Sequence, residues 1–123
     1  MGIDIYARWR GQSEDEIRDQ ARVCFSAVKG SVGYLREAYH GEPYATKYLC
    51  ADAFQPEGAR IEAAVLRERL VHTLALAEER ERTLYLSEPK EIEEVKQSYR
   101  DFVSLCERKE KETGEPVHIT ASY

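Results

Sequence analysis

Asp4, Tyr6 and Arg8 stand at alternate positions near the start of this chain, and His118 stands in a second alternating run, Val117-His118-Ile119-Thr120-Ala121, near its end. An aspartate beside a histidine fixes the imidazole tautomer and raises its basicity, so this is the set from which a general base or a metal ligand would be drawn. A third metal ligand is not placed by the spacing unless His40 reaches the same surface. Such chemistry defines one reading, a small enzyme or ligand-binding protein working on a polar sheet face. Against it stands the ordinary role of an outward sheet face, which is simply to be wet. The spacings of known catalytic sites are also missing: the chain has no GxSxG, phosphate loop, GxGxxG or HExxH, and no cysteine with a matched histidine.

A second constellation is the run Gly33-Tyr34-Leu35-Arg36-Glu37-Ala38-Tyr39-His40-Gly41-Glu42-Pro43-Tyr44 with Tyr48 just beyond, where half of the eight tyrosines fall within fifteen residues. Tyrosine offers a large rigid contact area with a hydroxyl at its tip, the profile of an interface anchor. Tyr34, Arg36, Glu37, His40, Tyr44 and Tyr48 are therefore the candidate binding residues, and the function they imply is a small interaction or regulatory module that binds a protein partner. The plainer alternative makes Tyr39 a core residue, the glycines turns, and His40 a helix-terminal residue interacting with the dipole. The opening Met1-Gly2-Ile3-Asp4-Ile5-Tyr6 and the run from Gly33 to Gly41 resemble a family of uncharacterised small bacterial proteins. The resemblance spans most of the chain and brings no known activity, so it implies no role for any residue.

The elements that must position these side chains follow from periodicity. Ile3, Ile5, Ala7 and Trp9 alternate with Asp4, Tyr6 and Arg8, and Val117, Ile119 and Ala121 alternate with His118, Thr120 and Ser122, so both termini read as strands of one sheet with an apolar face under helices. Ser13 and Glu16 form a capping box for a helix with Ile17, Ala21, Cys24 and Val28 on its inner face, although Val23 to Val28 also suits a strand; Gly30 ends it. Val32, Leu35 and Tyr39 suit a short helix closed by Gly41, and Tyr44 to Phe54 suits a third strand, since two strands alone are marginal. From Ile61 to Tyr85 a helix carries a stripe of Ala63, Leu66, Leu70, Leu74 and Ala77. A second stripe, Ile61, Val65, His72 and Leu76, is set apart from it by Glu62, Arg69 and Arg80. Ser87-Glu88-Pro89 starts another helix, whose Ile92, Val95, Tyr99, Phe102 and Cys106 make a heptad seam, and Thr113-Gly114 closes it before the last strand. Leu70 and Tyr99 should be buried in the resulting antiparallel hairpin.

Composition sets the bounds. At 123 residues the chain is one domain, 1–123, large enough to bury a core without staples. Its net charge of -5 comes from 23 acids mixed among 18 bases, with no basic stripe to meet phosphates, so nucleic acid is not an expected partner. Without an apolar run long enough to span a bilayer, or the layout of a secretory signal, the expected setting is the cytoplasm, with no membrane partner. Cys24, Cys50 and Cys106 are isolated and odd in number, which argues against a disulfide framework or structural zinc; Cys24 and Cys106 read as small hydrophobes. No cofactor or metal is expected. The whole is an α+β domain: a small sheet that includes both terminal strands, covered on one face by helices that include the antiparallel hairpin. If the second stripe of the long helix stays open to water, a homodimer across that stripe is the natural consequence.

Overall fold

The computed structural model describes residues 2–23 and 30–123. Strand β1 (Gly2–Arg8) is followed by helix α1 (Glu14–Val23), strand β2 (Tyr34–Ala38), the short helix α2 (Ala45–Leu49), strand β3 (Ala59–Ile61), the long helices α3 (Ala63–Thr83) and α4 (Pro89–Thr113), and strand β4 (Val117–Ser122). Single 3-10 turns at Gly30–Val32 and Ala51–Ala53 lead into β2 and follow α2. The strands form one antiparallel sheet in the order β2-β1-β4-β3, so the two ends of the chain lie side by side at its centre. That pairing gives both terminal segments the ladder partners they need to stay ordered.

The registers sort the side chains into two faces. Ile5 pairs with Leu35 and Ala121, Ala7 with Ile119, and Ile61 with Val117, which puts all of them toward the helices. There they join Leu66, Leu70 and Ala77 of α3, Tyr99, Phe102, Val103 and Cys106 of α4, and Ala45, Leu49 and Cys50 of α2 in one core. Leu70 and Tyr99 are both buried, as the hairpin requires. The two long helices run antiparallel, for Glu110 near the end of α4 accepts from the Ala63 N–H at the start of α3 at 2.8 Å, while Lys96 in the first half of α4 meets Glu78 near the end of α3 at 2.9 Å.

The local rules hold at the helix ends. Ser13 Oγ accepts from the Glu16 N–H at 3.1 Å and Glu16 Oε1 from the Ser13 N–H at 2.9 Å, the expected capping box. Glu88 and Glu91 form a second one around Pro89 at the start of α4, and Gly114 ends that helix at φ 78, a conformation that only glycine adopts without cost. How α1 continues toward Gly30, and hence the expected positions of Cys24 and Val28 and the alternative strand from Val23 to Val28, lies outside the described residues.

Four expectations are corrected. Ile17 and Ala21 of α1 are exposed rather than on an inner face, and the buried position there is Gln20, held by its bonds to the Ala7 and Val32 carbonyls. Val32 to Tyr39 is not a helix: β2 occupies Tyr34–Ala38 and pairs along the free edge of β1. Its alternation is disguised because one inward position holds Glu37 and one outward position holds Tyr34, the reverse of the usual polarity. Tyr44 to Phe54 is not a strand but α2 and a 3-10 turn. Tyr44, at the N-cap, offers no side-chain bond; Glu37 supplies the cap from eight residues upstream, its carboxylate accepting from the N–H groups of Ala45 at 2.9 Å and Thr46 at 3.0 Å. Finally, Ile61 ends β3, an edge strand of the sheet, rather than starting the long helix. The second stripe of that helix is consequently not an open strip: α2 lies across it, Tyr48 stacks on His72 with ring centroids 4.5 Å apart, and Val65 and Leu76 are half-buried against the core. His72 of this stripe and Val71 beside it stay exposed.

Candidate functional site

The proposed aspartate–histidine pair does not form. On the outer face of the sheet Asp4 pairs with Ser122, whereas His118 stands opposite Arg8. Four residues along a strand separate the two positions by about 13 Å. Asp4 is instead enclosed between β1 and β2. Arg36 Nη1 donates to both of its carboxylate oxygens at 2.8 Å, and the Tyr34 hydroxyl donates to Oδ1. Tyr34 itself is fully buried, its ring 5.4 Å from that of Tyr6, and the Arg8 guanidinium lies 5.1 Å from the Tyr6 centroid. Arg8 also donates to Gln20 Oε1, and Gln20 is held in turn by donating to the carbonyls of Ala7 and Val32 at 2.9 and 2.8 Å. His118 Nε2 donates to the Glu57 carbonyl at 2.8 Å, which commits that nitrogen to carrying the proton. The polar sheet face is thus a set of satisfied bonds, in which Tyr34 and Arg36 of the tyrosine segment join Asp4, Tyr6 and Arg8.

Glu37 and Tyr44 go the other way, into the interior. The Arg80 Nε of α3 lies 2.8 Å from Glu37 Oε2, and the remaining donors of its guanidinium reach the carbonyls of Gly41, Pro43 and Ala38. Tyr44 covers this group, its ring centroid 4.8 Å from the Arg80 guanidinium carbon. Arg80, which by sequence alone merely separates two stripes, is bonded through Nε, Nη1 and Nη2. It ties β2, the loop from 39 to 44 and α2 to one turn of α3.

What remains at the surface is a different set from the one the spacing selects. Tyr39 is exposed and makes an edge contact with Tyr44 at 6.1 Å; it is not a core residue. His40 leans on Tyr85 at 5.0 Å. Next to it the link between α3 and α4 presents Leu84 and Leu86 to solvent. Tyr48 of α2 stacks on His72 of α3, away from this link. No group of three or more His, Cys, Asp or Glu among the described residues is placed to hold a metal ion.

Below this tip, between the edge strand β2 and the ends of α3 and α4, opens a cleft of about 250 Å³. Arg36, Glu37 and Ala38 form one wall, Ala77, Arg80, Glu81 and Tyr85 the second, and Val95 and Tyr99 the third. Only Arg36 and Glu37 of these were candidates from sequence. Glu81, Tyr85 and Tyr99 give no signal there, because Tyr99 reads as seam and the other two as the fraying end of a helix. Burial holds the Glu81 carboxyl above its ordinary range and the Tyr99 hydroxyl well above its own. A smaller cleft of about 170 Å³ lies beside Trp9, with Glu16 and Asp19 on one side and Arg108 and Lys109 on the other. The two thiols in the described core, Cys50 and Cys106, are buried and raised by that burial, Cys106 to about 12, so neither supplies a thiolate nucleophile. No helix of the described residues is long and apolar enough to cross a membrane.

Comparison with models of known families, with characterised proteins and with solved structures brings no match. What the site can do is therefore read from its own side chains.

Proposed function

We propose that this chain is a small cytoplasmic interaction module that inserts the tip formed by Tyr39, His40, Leu84 and Leu86, with His40 leaning on Tyr85, into an apolar socket on another protein. The observation that carries the reading is Leu86. It is 82% exposed and sits at φ 51, a left-handed conformation that costs a leucine roughly 1–2 kcal/mol and that glycine adopts freely. Exposure and strain together are unrewarded in the free chain, and a residue held that way by its surroundings is a common mark of a contact site. Tyr39 and His40 add the amphipathic ring surface typical of interface anchors, and the Glu37–Arg80 group beneath fixes the loop that carries them.

The partner is a different protein rather than a second copy. A few exposed side chains met by their twofold copies bury little area, whereas an apolar pocket on another protein can enclose the exposed Leu86 side chain. In this reading Tyr34, Arg36, Glu37 and Tyr44 act from behind the surface and Tyr48 at its flank. The test is photocrosslinking from position 86 in lysate of the source cells, coupled to capture on immobilised wild type, Leu86→Gly and Tyr39→Ala. One protein crosslinked at position 86, and lost from both variants while they stay folded, supports the tip. The same retained proteins on all three, or light scattering that shows a wild-type dimer dissolved by Leu86→Gly, overturns it.

A further inference from the structure

The cleft below the tip holds charges that cancel in pairs, with one left over. Arg36 is neutralised by Asp4, which it meets through two 2.8 Å bonds, and Arg80 by Glu37 at 2.8 Å. Glu81 has no cation within ion-pair distance among the described residues; its side-chain bond is from the Ser87 hydroxyl, at 3.1 Å. An acid in this position carries the one uncompensated charge of the cleft.

Tyr99 points to the same place by independent evidence. Its side chain is 97% buried, for it retains 3% of its exposure, yet its hydroxyl makes no hydrogen bond with any described group. Among the described residues only Gln12 Nε2 is both sealed from solvent and unpartnered, so the Tyr99 oxygen is not sealed: it opens on the cleft that its side chain lines. Tyr85, on the opposite wall, adds an aromatic face, and Ala77 and Val95 add apolar surface.

We propose that this cleft binds a small organic ammonium ion. The ammonium donates to the Glu81 carboxylate and the Tyr99 oxygen, its positive charge lies against the Tyr85 and Tyr99 rings, and its hydrocarbon part rests on Ala77 and Val95. Each feature selects against the alternatives. An anion meets an unpaired carboxylate, a neutral alcohol leaves that carboxylate without its counter-charge, and a cation satisfies both the acid and the ring faces. A volume near 250 Å³ confines the ligand to a compact amine, below the usual range for drug-sized molecules. The proposal is independent of the protein-binding tip, which uses Leu86 and Tyr39 rather than these walls.

Calorimetric titration of the intact chain with butylamine and with benzylamine, beside butanol and butyrate as isosteric controls, tests it. Saturable binding of at least one amine in the millimolar range is expected, with neither control binding. Glu81→Gln should weaken that binding by about tenfold or more, the worth of a charged hydrogen bond in a partly desolvated site. Tyr99→Phe keeps the ring and the packing while removing the hydroxyl, and should weaken it several-fold; circular dichroism checks that both variants fold. Leu86→Gly should leave it unchanged. Absence of saturable binding by both amines, equal binding of butanol, or equal affinity in wild type and a folded Glu81→Gln overturns the proposal.

Discussion

Arg80 Nε lies 2.8 Å from Glu37 Oε2 with side-chain exposures of 5% and 7%, so the ion pair that organises the tyrosine segment is almost wholly withdrawn from water. Two buried charges gain little net stability from each other, but removing one leaves the other stranded. Glu37→Gln and Arg80→Met should therefore each cost about 3–5 kcal/mol in chemical denaturation, and the double variant clearly less than the sum. Additive losses, or single losses below about 1 kcal/mol, would show that the pair is solvated in solution.

The crossing of the chain over α4 rests on Gly30. A methyl group at this position would sit 1.8 Å from the Ser98 carbonyl oxygen and 2.8 Å from the Phe102 nitrogen, both backbone atoms of α4. Neither can swing aside as a side chain would. Gly30→Ala is expected to lower the urea midpoint by the equivalent of about 1–3 kcal/mol or more, the range for forced overpacking. An unchanged midpoint would mean that the segment stands off the helix.

Much of this architecture is legible in the residues themselves. The terminal strands, the Ser13–Glu16 capping box and the hairpin seam are set by local periodicity and short-range bonds, and each is found where those rules place it. The misread stretch from 32 to 61 fails for one physical reason. Glu37 is an acid on the inward face of a strand, and it belongs there only because Arg80, forty-three residues later, meets it; the same carboxylate caps α2. No window of sequence contains both partners. The candidate site divides for the same cause. Strand pairing sends Tyr34 and Arg36 to one face, the ion pair draws Glu37 and Tyr44 inward, and Tyr39, His40 and Tyr48 are left outside. Glu81 and Tyr99 become noticeable only when bonds are counted in three dimensions.

The same counting explains the turn between the long helices. The Ser87 N–H donates to the Glu81 carbonyl at 3.0 Å across six residues, closing the end of α3 with Leu86 in the left-handed region at φ 51, a conformation glycine adopts more readily. Leu86→Gly relieves roughly 1–2 kcal/mol of backbone strain and gives back about 0.4–1 kcal/mol through the greater freedom of the unfolded chain. With little burial to lose, the expected net gain is about 0.5–1 kcal/mol, a rise of a few degrees in thermal midpoint. A lower midpoint would mean that the leucine packs in solution.

Two acids on α3 should respond to pH with opposite signs. Burial is the main cause that raises Glu81 above its ordinary 4.5; Glu91 and Glu37 add to it, while the Ser87 bond and Arg80 oppose it. The folded state then holds its proton more tightly than the unfolded state, so stability falls as pH rises from 4.5 through the folded value, and the penalty is absent in more acid solution. Glu78 is the reverse case: hydrogen bonds from Lys96 and Arg82 lower it, so its contribution is present above 4.5 and is lost as pH falls through the folded value. Glu81→Gln, which keeps an acceptor for Ser87, should therefore raise the thermal midpoint at neutral pH. That advantage should vanish below pH 4.5, where wild type and variant are both uncharged at this position. Glu78→Gln should lower the midpoint at neutral pH, and its deficit should close in acid. Midpoints measured across the pH range for both variants decide the matter, and two curves of the same sign would overturn the assignment of Glu81 as the uncompensated acid of the cleft.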